Sequence, residues 1–422
     1  MSRSASSSAG SAPAAGHTSE VGVPAAGSVR PARLPAEQLD ALCARVRSFI
    51  DDCVIPREDM SRGHDVEWLD AVTGELRVEA AARGLVAPQL PREAGGLGLC
   101  WEDCARVFEE CGRSFLGAGA LGCAAPDQPN IDTLMHLAAP SQRDRWLAPL
   151  MAGEIRSAFA MTEPAPGVGS DPRMISTCAR RDGDDWVLDG HKWFASGAVG
   201  AAFAIVVARA DEGPSWFIVD TANPGWQLVR DIPSIDNFAP GGHGEVRLVQ
   251  CRLPADALIG EAGKGFDYAQ LRLEGARLFH CMRGIGLASR AIEIAQDYAV
   301  RRDSFGARLS EHQQIQAMVA DAHIDLYACR LMTADVARRL DAGESIRHTS
   351  SMAKVFVSEA LNRVADRACQ MTGALGMCED QPLAMIAKRL RPFRIYDGAS
   401  EVHRAAIGKR IFMRGGRDGR GA

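Results

Sequence analysis

Asp397 stands in the run Arg394-Ile395-Tyr396-Asp397-Gly398-Ala399-Ser400, after an apolar stretch and just ahead of the helix expected from Ser400-Glu401-Val402-His403-Arg404. A carboxylate so placed is a candidate general base. The positive end of the following helix favours its charged form, while exclusion of water by a bound group works against it. Taking a proton from carbon requires such a base on one face of the reacting atom and an electron acceptor on the other. Four further segments combine glycines with donors. Met161-Thr162-Glu163-Pro164 runs into Gly167-Val168-Gly169-Ser170-Asp171, and Gly190-His191-Lys192-Trp193-Phe194-Ala195-Ser196-Gly197 follows. Arg302-Asp303-Ser304-Phe305-Gly306 precedes His312-Gln313, and Gln370-Met371-Thr372-Gly373-Ala374-Leu375-Gly376 comes last. Glycine turns bring backbone N–H groups close to an electron-rich ring or a phosphate, and arginine offers a fork of donors to a pyrophosphate. Taken alone, any one of these segments is also an ordinary turn.

The elements that must hold these residues change character twice. Residues 34–155 read as helical: Leu39, Leu42 and Val46 form one apolar stripe, Trp101 to Phe115 another, and Ser141 to Leu147 a third after Pro140. The breaker-rich loop Leu90 to Gly98 separates them. Over 156–260 the period moves towards two, with Trp186-Val187-Leu188 running into a turn at Asp189-Gly190 and strands at Phe203 to Val207 and Trp216 to Val219. That region has no room for crossover helices, which predicts an antiparallel sheet or small barrel. Over 261–415 helices return. Ile285, Ala288, Ile292, Ala295 and Ala299 make one stripe, and Ile315, Met318, Ile324 and Leu326 the next, the pattern of an antiparallel four-helix bundle. Residues 1–33 read as a disordered tail rich in Ser, Ala, Gly and Pro, and 416–422 as a flexible one. The fold class expected is therefore α+β.

Composition narrows the chemistry. A chain of 422 residues with 46% hydrophobic content has ample material for two or three domains. Its 48 basic and 53 acidic residues give a net charge of -5, which asks for neither nucleic acid nor an anionic membrane. The 12 cysteines include no CxxC pair, so no metal site is expected, and Cys100, Cys104 and Cys111 read as small core residues on one helix. No run of apolar residues is long enough to span a bilayer, and a cytoplasmic location is the expectation.

Taken together, and in this order, the five segments resemble those of the acyl-CoA dehydrogenases over roughly residues 35–415. Within that family the surroundings of Asp397 and the run Gly275 to Arg283 are most similar to the member 10 and 11 branch, whose members look suited to longer or unusual acyl-CoAs. The resemblance implies an N-terminal helical domain, a middle β domain and a C-terminal bundle, with FAD as cofactor. It places the α-proton base at Asp397, where most members carry glutamate. The alternative base position of some relatives falls on Ala276, and Glu274 lies on another helical face. The resemblance further implies that Met161, Thr162 and Gly169 meet the flavin's pyrimidine edge, Phe194 packs on the ring with Trp193 as the displaced aromatic, and Ser196 bonds near N5. It puts Arg302, Phe305 and Gln313 with the adenosine diphosphate half. Gln370, Gly373 and Gly376 would receive that half from a second subunit, so a homodimer or homotetramer follows. Ser170, Arg277 and Gly398 are the implied substrate contacts, an acyl-CoA the substrate, and an electron-transferring flavoprotein the acceptor. Aspartate at the base position also fits a nitroalkane oxidase-like flavin oxidase. An oligomer that holds flavin or acyl-CoA without catalysis is the third reading.

Overall fold

The computed structural model describes residues 32–418, with side chains to Met413; the tails expected at 1–33 and 416–422 lie largely outside the described residues. The N-terminal part is built from helices Ala36–Phe49, Val66–Ala82, Trp101–Cys111 and Asp127–Leu137 with short helical turns between them. Asp65 caps the second by accepting from the Trp68 N–H. The third is capped from far along the chain. The Asp341 carboxylate accepts from the Trp101 and Glu102 N–H groups at 2.9 Å each, and its charge faces the positive helix end. Leu39, Leu42 and Val46 are buried, as are Cys100, Cys104 and Cys111.

The middle part is a sheet of eight strands: β1 (Ser157–Ala160), β2 (Cys178–Asp182), β3 (Asp185–Ser196), β4 (Phe203–Ala210), β5 (Gly213–Asp220), β6 (Trp226–Asp231), β7 (His243–Leu253) and β8 (Leu258–Ile259). Their order is β6-β7-β3-β1-β4-β5-β8, with β2 pairing β3 and β4. Most pairs are antiparallel, but β1 runs parallel to β4, so the sheet is mixed. Asp189-Gly190 is not a chain reversal, because β3 continues through it. The register against β7 slips between Leu188 and Gly190, and the Asp189 carboxylate accepts from Gln250 N and Nε2 at 2.7 and 2.6 Å. A β-bulge and a tight turn ask for the same residue types, and strand pairing alone separates them.

Helices Gly265–Ala299, Gln313–Asp341, Arg347–Thr372, Leu383–Leu390 and Ser400–Asp418 follow. Ile285, Ala288, Ile292, Ala295 and Ala299 are all buried. In the next helix the inward stripe runs through Ala322, Leu326, Cys329 and Val336, while Ile324 is 65% exposed. Two residues before Leu326 places it on the far side of a 3.6-residue turn, which corrects the stripe expected from the sequence. One core joins the two helical parts through Phe49, Phe108, Phe279 and Leu361, and separate cores cover the two faces of the sheet. Phe238, from the segment between β6 and β7, reaches out of the sheet region into the helical core, stacked on Phe115 at 4.7 Å. Among the described residues no helix is long and apolar enough to cross a membrane.

Candidate active site

Asp397 lies in the turn before the 400–418 helix with φ +54. Among the described residues only six non-glycine residues have positive φ, and three of them, Phe194, Phe305 and Asp397, are residues the sequence singles out for chemistry. Backbone in that region is held against a steric cost, a feature that concentrates at functional sites. The clamps on this turn grip main chain and leave the carboxylate free. Arg277 Nε donates to the Asp397 carbonyl at 2.9 Å, Lys354 Nζ donates to the Gly398 carbonyl at 2.6 Å, and His403 Nε2 lies 3.1 Å from the Asp397 carbonyl. Gly398 has φ +94 and backs onto the His403 ring, where a Cβ would come within 2.7 Å of Nε2; only glycine fits. Asp397 Oδ2 is buried and accepts no hydrogen bond within the protein. Its nearest cationic candidate is His280 Nε2 at 3.5 Å, within a ring cluster with Phe393 and Tyr396.

Burial pushes His280 down to about 3 even with Asp397 beside it, so its imidazole is neutral and does not quench the carboxylate. Burial likewise lowers His403 to about 4, helped by Arg277. Burial lowers Lys354 to about 8 against the pull of Asp397. Both histidines titrate below the ordinary ~6.5 in the folded chain. Between ~6.5 and those values the unfolded chain binds more protons, so stability falls as pH drops through that window. Denaturant unfolding at about pH 7 and about pH 5 should therefore show an acid loss that shrinks in His280→Gln.

The two segments ahead of the helical bundle are fastened to each other. Trp193 N donates to the Thr162 carbonyl at 3.0 Å, and Lys192 Nζ donates to the Met161 carbonyl at 2.9 Å and to Glu163 Oε1 at 2.8 Å. The Lys192 and Glu163 side chains are 0% and 1% exposed. Burial works against a charged Glu163, but Lys192 and the Ser176 and Thr177 donors hold it at about 2. Glu163 also accepts from the Ser176 N–H and hydroxyl at 2.8 and 2.6 Å. This buried pair fixes the loop that carries Met161, Thr162, Gly169 and Ser170. Phe194 is half exposed, with the Trp193 ring perpendicular to it at 5.2 Å. Ser196 Oγ lies 3.1 Å from His243 Nδ1.

The remaining candidates sit at the surface. Arg302 precedes a small two-stranded hairpin and Phe305 sits in its turn, steadied by a contact of 3.0 Å between His312 Nε2 and the Ser304 carbonyl. Phe305 is 98% exposed, and Gln313 opens the next helix, exposed. Gln370 is exposed near the end of the 347–372 helix, which Gly373 terminates with φ +63. A Cβ on Gly169 or Gly373 would meet nothing within 4 Å, so the backbone at both faces open space. Gly376 differs. It is buried against Thr372 and Cys369, which gives it a packing role. An open glycine turn at Gly169, a free-standing arginine and aromatic at 302–305 and an open helix end at Gly373 suit an elongated group with ring and phosphate parts.

Sequence reasoning missed Lys354, Lys192 with Glu163, and the group His243, Asp236 and Arg389. Each acts through a partner distant in sequence, and a lone lysine or histidine in a strand or helix leaves no periodic trace. Arg272 was missed too. It is 7% exposed, donates to Asn130 Oδ1 at 3.1 Å and stacks on the Phe159 ring at 3.7 Å.

The sequence matches the acyl-CoA dehydrogenase N-terminal domain family over residues 36–154, the middle domain family over 158–248 and the C-terminal domain family over 263–412. It is 35% identical over 388 residues to acyl-CoA dehydrogenase family member 11 of Rattus norvegicus, covering 86% of this chain and 49% of that protein. The chain thus spans about half the length of that relative. It is 37% identical over 346 residues to "Probable acyl-CoA dehydrogenase FadE2" of Mycobacterium tuberculosis, covering 79% of this chain and 84% of that one. The structure is similar to that of a glutaryl-CoA dehydrogenase from Mycobacterium smegmatis in complex with FADH2, with TM-score 0.78, 25% identity and coverage of 90% of this chain and 95% of the other.

Proposed function

The chain belongs to the acyl-CoA dehydrogenase family, and from that premise we propose that it is an FAD-dependent oxidoreductase that converts an acyl-CoA thioester to its trans-2-enoyl-CoA, with Asp397 as the base. The observation that carries this reading is the buried Oδ2 of Asp397, which accepts no hydrogen bond within the protein, on a turn whose clamps all grip main chain. A buried carboxylate oxygen without a donor is a poor structural element, and it is left open to a proton on a substrate carbon.

FAD, when bound, supplies the acceptor for the β-hydride at its N5. Asp397 takes the α-proton at Oδ2. Its own backbone N–H, which meets no acceptor among the described residues, is a donor for the thioester oxygen as negative charge develops there. Gly398 keeps that approach open, and Arg277 and Lys354 hold the turn so that the carboxylate does not swing away. Aspartate is a methylene shorter than glutamate, so the positive φ at Asp397 sets how far the carboxylate reaches. Met161, Thr162 and Gly169 are assigned to the flavin's pyrimidine edge, Phe194 to its ring and Ser196 to the N5 side. Ser170 is assigned to the CoA arm. Arg302, Phe305 and Gln313 of one subunit, with Gln370, Gly373 and Gly376 of another, are assigned to the adenosine diphosphate half. The near-total exposure of Phe305 supports that sharing between copies. Electrons then pass to an electron-transferring flavoprotein.

Arg302→Ala removes charge-assisted hydrogen bonds worth about 1.5–3 kcal/mol. The apoprotein variant should bind FAD at least about tenfold more weakly in a reconstitution titration.

Anaerobic mixing of the purified protein with a panel of acyl-CoAs of different length tests the reading. At least one should bleach the flavin's visible band and yield one enoyl-CoA per flavin reduced. A colourless protein that takes up no FAD, or rapid oxygen-dependent oxidation of nitroalkanes with no response to any thioester, would overturn it.

A further inference from the structure

Ser196, assigned above to the flavin's N5 side, is continued by His243, Asp236 and Arg389 in a polar chain whose last three members neither proton removal at Asp397 nor cofactor binding explains. Ser196 Oγ lies 3.1 Å from His243 Nδ1, and His243 Nε2 lies 3.0 Å from Asp236 Oδ2. Asp236 Oδ1 pairs in turn with Arg389. Around the ring the geometry is fixed from several sides. The His243 backbone N–H donates to Asp231 Oδ1 at 2.8 Å, and Asn237 and Phe238 anchor the Asp236 segment on Met385 and in the helical core. His243 and Asp236 also line a narrow cleft together with Asp231, Ser234 and His64, and the His243 side chain itself is 15% exposed. The chain therefore runs from Ser196 to an imidazole that is partly open to solvent.

The charges set the direction of the hydrogen bonds. Burial opposes a charged Asp236, but Arg389 and the hydrogen bond from His243 hold it at about 2, so it is an anion and an acceptor only. The proton of a neutral His243 then sits on Nε2, and Nδ1 presents its lone pair to the Ser196 hydroxyl.

We propose that Ser196 and His243 are the path by which the proton delivered to the flavin N5 with the substrate hydride leaves the enzyme when its electrons depart. This inference rests on the assignment of Ser196 to the N5 side made above. A hydride brings two electrons and one proton. An acceptor that takes electrons singly, such as a second flavoprotein or a ferricenium ion, removes two electrons in two steps and no proton, so the N5 proton must go elsewhere. Ser196 Oγ takes it while passing its own proton to His243 Nδ1: one N–H and one O–H bond break, one O–H and one N–H bond form. Asp236 stabilises the imidazolium until its Nε2 proton leaves to solvent, and tautomer exchange through solvent then returns the remaining proton from Nδ1 to Nε2 for the next turnover. The net change is two electrons to the acceptor and one proton to solvent.

The test uses holoenzyme reduced with dithionite and mixed anaerobically with excess ferricenium in a stopped-flow spectrometer. His243→Gln keeps a hydrogen-bonding side chain but cannot take up and release a proton, and should reoxidise at least about tenfold more slowly, at the modest end of the effects typical of a positioned proton-transfer group. His243→Ala should be equally slow and should recover when imidazole is added, which a merely structural role would not give. Independently of turnover, ¹⁵N NMR of oxidised wild-type holoenzyme should show a proton on His243 Nε2 and none on Nδ1. Wild-type reoxidation rates in flavin-loaded His243→Gln, or a proton on Nδ1 in the wild type, would overturn the relay while leaving the dehydrogenase reading intact. A wild-type protein that holds no flavin would overturn that reading, and the relay with it.

Discussion

Asp397→Asn should retain FAD and fold normally, yet be reduced by acyl-CoA about a thousandfold more slowly than the wild type. Normal folding is expected because Arg277, Lys354 and His403 contact the carbonyls of residues 397 and 398 and not the carboxylate. Removing a general base costs roughly 10²–10⁴ in rate. A thousandfold loss corresponds to about 4 kcal/mol of barrier. Glu274→Gln is the matched comparison. Glu274 lies half-buried on the same helix as Arg277, with its pKa raised by burial, and its loss should change the reduction rate by no more than a few-fold. Rapid-mixing measurement of flavin bleaching in both variants checks the pair of expectations. The opposite ranking would move the base to Glu274.

The second large effect lies in the sheet. Lys192→Met should destabilise the protein by about 3–5 kcal/mol, the cost typical of removing one partner of a buried ion pair. Glu163 would be left fully buried, still accepting from Ser176 and Thr177 but without its counter-charge. The Met161 carbonyl would lose its donor as well, so the loop assigned to the flavin's pyrimidine edge should loosen and FAD affinity fall with stability. Adding Glu163→Gln to Lys192→Met removes the orphaned charge and should recover part of the loss. Urea unfolding of the two single variants and the double variant measures the coupling. Additive effects in that cycle would show that the pair does not act as a unit.

The sequence was most readable where physics is local. The stripe Ile285 to Ala299 and the strand Trp216 to Val219 follow from periodicity, and the order helical, sheet, helical follows from changes of period along the chain. It was less readable where one dipeptide serves two geometries, as at Asp189-Gly190, which is a bulge because β7 pairs with both sides of it. The Ile324 stripe failed because apolar type alone does not choose between helical faces, and small Ala322 takes the inward position. At the site, Asp397, Gly398 and Arg277 were legible as motif residues. The partners that hold them were not. Lys354 sits 44 residues before Gly398, and Arg389 meets Asp236 across 153 residues. Nothing in the spacing of a helix or strand encodes such encounters, which only the packed fold creates.

The central claim is that the Asp397 carboxylate and the flavin address the same acyl group from opposite faces. A crystal structure of the holoprotein with a non-oxidisable acyl-CoA analogue measures this directly. The predicted result is a carboxylate oxygen of Asp397 about 3–3.5 Å from the α-carbon, the distance of a reactive encounter, with the flavin ring on the other face of the chain. An Asp397 carboxylate still turned towards His280, with the α-carbon out of its reach, would contradict it.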